Sequence, residues 1–94
     1  MADFNMLEHV KNAMGLIGND YVDNTIQEYI DEVREYLHDA GVPESVTATS
    51  RCKGIITRGV ADLWNYGSGG AALSPYFRER AAQLALKWQV IADE

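Results

Sequence analysis

Cysteine is nearly absent from this 94-residue chain, with Cys52 standing alone. A lone thiol can form no internal disulfide and no cysteine-built structural zinc site, so synthesis in a reducing compartment, the cytoplasm, is expected. Proline occurs only at Pro43 and Pro75, which leaves long stretches without a helix breaker. No apolar run approaches the ~18 residues a membrane span requires. The opening Met-Ala-Asp-Phe-Asn lacks the basic and apolar regions of a secretory signal, so none is expected. Bases are scarce, eight against fourteen acids, for a net charge of −6. That balance argues against general affinity for nucleic acid, which needs Lys and Arg to displace counterions. The length predicts one domain spanning 1–94 with a modest core. It is too short for a deep, walled catalytic cavity unless several copies assemble.

What charge there is lies unevenly. Residues 1–47 hold ten acids and two bases, Lys11 and Arg34; residues 48–94 hold four acids and six bases. Small proteins are often lopsided by chance. A sharper reading is that the two halves meet in neighbouring copies, head to tail.

Four helices are legible and no strand is, which predicts an all-α, single-domain bundle. Asn5 is a candidate N-cap with Glu8 three residues on, and Leu7, Val10, Met14 and Ile17 repeat at helical spacing. Gly15 and Gly18 should end that helix near Ile17. A second helix over 20–40 has Asp20 as its cap and one apolar stripe through Val22, Ile26, Tyr29, Ile30, Val33, Leu37 and Ala40. Gly41, Val42 and Pro43 form its stop signal. Residues 44–49 read as a connector. A third helix over 50–66 buries Cys52, Ile55, Ile56, Val60 and Leu63. Its Gly54 and Gly59 each cost about 1 kcal/mol against Ala, which suggests close approach of another backbone or a bend. After the break Gly67-Ser68-Gly69-Gly70, Ser74-Pro75 starts a fourth helix over 75–90 with Phe77, Ala81, Leu84, Ala85 and Trp88 inward. Val33, Leu37, Ile56, Val60, Leu63 and Phe77 are the expected core.

No constellation nominates a reaction, and no cofactor is expected. Glu35-Tyr36-Leu37-His38 matches the E-x-x-H element of di-iron bundles, but that site needs the element twice, and both side chains lie off the apolar stripe. Gly67 to Ala72 fits the letters of a dinucleotide fingerprint without the strand that must precede it. Arg51, Lys53 and Arg58 could make the third helix read DNA, yet three bases on an acidic chain make a poor footprint. Helix two carries Glu28, Asp31, Glu32, Glu35 and Asp39 on its outer face: either a merely solvated surface or one that meets a basic partner. Trp64, Tyr66, Tyr76, Phe77 and Trp88 crowd the last third. Phe77 and one tryptophan should fill the core. The others, beside a glycine loop, suit an oligomer interface.

Residues 54–69, Gly-Ile-Ile-Thr-Arg-Gly-Val-Ala-Asp-Leu-Trp-Asn-Tyr-Gly-Ser-Gly, followed by Leu73-Ser74-Pro75-Tyr76-Phe77 and Gln83-Leu84, resemble small phage head–tail connector proteins. These are also known as DNA-packaging or head-completion proteins. Asn24, Ile26, Tyr29 and Ile30, with Ala40-Gly41-Val42-Pro43, fit the same family, and the resemblance covers roughly 20–86. Arg51-Cys52-Lys53 is less typical of it.

The resemblance implies an all-α adaptor whose copies form a ring under the portal protein, offering a platform to the next head-completion or tail protein. It implies a place in the virion at the head–tail junction. DNA would pass through the channel without specific binding, and no membrane is involved. The interface residues then expected are Trp64, Tyr66, Gly67, Gly69, Gly70 and Tyr76. To these are added Glu28, Glu32 and Glu35 of one copy facing Arg58, Arg78 or Arg80 of the next. The alternative is a small helical DNA-binding or DNA-packaging accessory module.

Overall fold

The computed structural model describes residues 5–67 and 73–92, with side chains through Trp88. Asn5 opens α1 (Met6–Ala13): its side-chain oxygen accepts the Glu8 N–H at 3.0 Å, satisfying one of the donors every helix leaves free at its start. The helix stops four residues before Ile17, where the sequence pattern placed its end. Gly15 and Gly18 take φ of +74° and +95°, a conformation that turns the chain instead of winding it on. Ile17 is therefore exposed.

The chain enters α2 (Asp23–Ala40) through one 3-10 turn, Asp20–Val22. The expected α-helical start at Asp20 is thus three residues early, and no side chain caps the turn or the helix. Asp20 and Asp23 turn instead to Lys11 of α1, with Asp23 the closer partner. Lys11 is only 6% exposed, and a covered ammonium requires a counter-charge. The hydrogen bond that Lys11 donates to Asp23 holds the Lys11 pKa above its ordinary value, against burial, which lowers it. A raised pKa means this pairing stabilises the fold below the ordinary lysine value and is lost as pH climbs through the raised one.

At the other end of α2 the expected stop is present. Gly41 adopts φ +114°, its N–H donates to the His38 carbonyl at 3.0 Å, and the Val42 N–H donates to the Leu37 carbonyl at 2.9 Å. That is a Schellman closure, sealed by the buried pair Leu37 and Val42. The connector holds one helical turn that the sequence pattern did not show, α3 (Glu44–Thr47). A 3-10 turn over Ser50–Cys52 leads into α4 (Lys53–Tyr66). Finally α5 (Pro75–Ala92) starts at the Ser-Pro signal, with the Ser74 hydroxyl accepting the Phe77 N–H at 3.2 Å. Every regular element among the described residues is helical.

All six expected core residues are fully buried, joined by Val10 of α1, Ile26 and Ile30 of α2, and Ala81 and Ala85 of α5. Cys52 is buried with them, which pushes its thiol pKa up. Helices α2 and α4 form the central pair, and both α1 and α5 lie against the two of them. The two α4 glycines differ. A Cβ on Gly59 would lie 2.8 Å from both Phe77 Cε2 and Val33 Cγ2, so this position is the point where α2, α4 and α5 meet. What approaches is side chains, not the backbone expected from the sequence. A Cβ on Gly54 would meet nothing within 4 Å.

Opposite signs are therefore expected for one substitution at two positions of one helix. Gly54→Ala should stabilise by about 0.5 kcal/mol through helix propensity. Gly59→Ala should destabilise by about 1–2 kcal/mol, because overpacking against stiff Val33 outweighs that gain. Urea denaturation of both variants measures the difference.

Candidate functional site

Helix α5 presents Phe77 to the core and, one residue earlier and about 100° around the helix, Tyr76 to the surface. Phe77 is fully buried and Tyr76 is 58% exposed. The Arg58 guanidinium of α4 lies over the Tyr76 ring, 5.1 Å from its centroid. The Arg58 Nε also meets Asp62 Oδ1 at 3.5 Å, one helical turn on. Asp62 is buried, and its second oxygen accepts the Ser74 N–H at 3.0 Å. A continuous polar connection thus runs Tyr76, Arg58, Asp62, Ser74 and fixes the start of α5 against α4.

Beside this connection runs a groove of about 340 Å³ between α4 and α5, lined by Gly54, Ile55, Arg58, Tyr76 and Arg80. Further along, Arg51 and Lys87 lie over the half-buried Trp88 ring, at 5.6 and 5.9 Å from its centroid. Cation–π pairs at exposed sites contribute roughly 0.5–1 kcal/mol each, and they hold flexible basic side chains in place. Separately, Glu32, Glu35, Tyr36 and Asp39 of α2 line a depression of about 180 Å³ with Leu73, two residues before α5. Tyr36 tilts against Phe77 beneath it, ring centroids 5.4 Å apart. The α4–α5 groove is basic and aromatic; the α2 depression is acidic.

The expected interface residues divide accordingly. Arg58, Arg80 and Tyr76 come together; Glu32 and Glu35 come together, with Glu28 exposed farther toward the start of α2. Arg78 does not join its two expected companions, because its Nε donates to the Leu73 carbonyl at 3.1 Å. Trp64 and Tyr66 are 40% and 75% exposed near the end of α4, and Trp88 is the tryptophan that leans on the core. Gly67 ends α4 with φ +93°, its N–H donating to the Leu63 carbonyl. Gly69 and Gly70 lie outside the described residues.

His38 is engaged within the fold. Its Nε2 is 2.7 Å from the hydroxyl of buried Thr47. Because that hydroxyl donates to the Glu44 carbonyl, the imidazole supplies the proton of the shorter bond. Among the described residues no three His, Cys, Asp or Glu side chains group as metal ligands, and no helix is long and apolar enough to cross a membrane. Asp62 was not among the expected residues, though Arg58-x-x-x-Asp62 spacing hints at an i, i+4 pair. Nothing local announces its bond to Ser74, twelve positions away.

No family model matches the chain, and no curated protein or solved structure is significantly similar to it.

Replacing Asp62 by Ala strands the Ser74 N–H and should cost about 1–3 kcal/mol. Asp62→Asn, which keeps an acceptor, should cost less. Thermal unfolding orders the variants as wild type, Asn, Ala; equal stability of all three would show that the bond carries nothing.

Proposed function

We propose that this chain is a structural subunit of a phage head–tail connector ring. The ring docks under the portal protein at the head–tail junction of the virion, continues the DNA channel, and receives the next head-completion or tail protein. The observation that carries the reading is a pair of unlike surfaces: a basic–aromatic groove between α4 and α5 and a separate acidic depression on α2. A closed ring has heterologous interfaces, one face of a subunit against a different face of its neighbour. A chain with two unlike, complementary faces meets that requirement without repelling itself. The resemblance over residues 20–86 supports the same reading.

Exposed Trp64, Tyr66 and Tyr76 are the natural anchors of such contacts, since large aromatics dominate interface energetics. The net charge of −6 suits a channel wall that lets DNA slide past. A second reading, a small DNA-binding or packaging accessory module, draws on Arg51, Lys87 and Trp88, where cations and an aromatic face lie together.

Electron micrographs of the purified protein should show rings with a central hole. Tyr66→Ala and Tyr76→Ala should abolish them with the helical circular dichroism unchanged. A species without rings that is held on immobilised DNA and released by salt would instead favour the second reading.

A further inference from the structure

Gly54 has no internal reason to be glycine. It lies in the first turn of α4 without positive φ, and a Cβ there would meet nothing of this chain within 4 Å. Gly59, five residues on, is by contrast required by Val33 and Phe77. The empty space at Gly54 opens into the α4–α5 groove, where Ile55 forms apolar wall and Arg58 and Arg80 supply charge. Arg58 is held in place by the Tyr76 ring and by Asp62, so little conformational freedom remains to be lost when it binds.

The complementary feature is the α2 ridge. Glu28/Glu32, Asp31/Glu35 and Glu35/Asp39 are like-charge pairs at i, i+4, each slightly unfavourable to the helix. Arg34 is the only Lys or Arg on the helix, and its Nε is buried. The ridge lies on α2 and the groove between α4 and α5, and within one chain the two share no lining residue.

We propose that the groove lined by Gly54, Ile55, Arg58, Tyr76 and Arg80 receives the acidic α2 ridge, centred on Glu35 and Asp39, of a second copy of this chain. This rests on the ring reading and adds to it which face meets which. Charge registers the two copies, and the missing side chain at Gly54 lets the partner helix come close. The contact weakens with salt, as partly exposed charge pairs do.

Two variants test it by sedimentation at low salt. The ridge variant carries Glu35→Arg and Asp39→Arg. The groove variant carries Gly54→Glu and Arg80→Glu, which leaves the Arg58–Asp62 bridge in place. Each alone should associate at least about tenfold more weakly than the parent, with circular dichroism unchanged. Mixed in equal amounts they should associate again, because the acidic ridge of one meets the basic groove of the other, and the reversed pair is complementary too. Unchanged association of either variant, or no recovery on mixing, overturns this docking while leaving a ring built on other faces. A parent chain that stays monomeric at every concentration overturns both the docking and the ring reading.

Discussion

The contact of Gly59 with Val33 and Phe77 is the constraint on which the rest of the structure depends. A side chain there would push α5 off the α2–α4 pair. With hydrogen in its place, Phe77 enters the core completely, and Ala81 and Ala85 follow it along the same face. Small residues at the seam let α5 lie close against the pair. A groove remains open between α5 and α4, and a separate depression on α2.

The two surfaces take their character from the helices that line them. The groove is lined on α4 by Gly54, Ile55 and Arg58; the depression is lined on α2 by Glu32, Glu35 and Asp39. The uneven charge of the two halves of the sequence thereby becomes two separate faces of one small body. Asp62 fixes the geometry of the basic face: one oxygen anchors Ser74, just before α5, and the other holds Arg58 over Tyr76. The acidic face needs no such device, since α2 is continuous through it and closed by its Schellman turn.

Much of this was legible in the sequence. Apolar spacing identified the inward residues of α2, α4 and α5, because burial on a regular helix follows its period. Gly41 and Ser74-Pro75 marked ends by local chemistry that needs no partner. The early end of α1 was harder to read: apolar spacing continues to Ile17, but the glycines at 15 and 18 break the backbone before the pattern runs out. The turn α3 is too short to show a period. Asp62 was hidden because its partner is distant in sequence. Arg78 was misgrouped because residues 78 and 80 lie on different sides of a helix, and only the packing of α5 decides which side faces α4.

The central claim is that two unlike faces of this chain meet in trans, and a site-directed disulfide tests it most directly. Copies carrying Glu35→Cys are mixed with copies carrying Gly54→Cys under mild oxidation. Cys52 is buried and stays out of the reaction. The account predicts a covalent dimer in the mixture and none from either variant alone. An absence of dimer in the mixture, or equal dimer from Glu35→Cys alone, would contradict it.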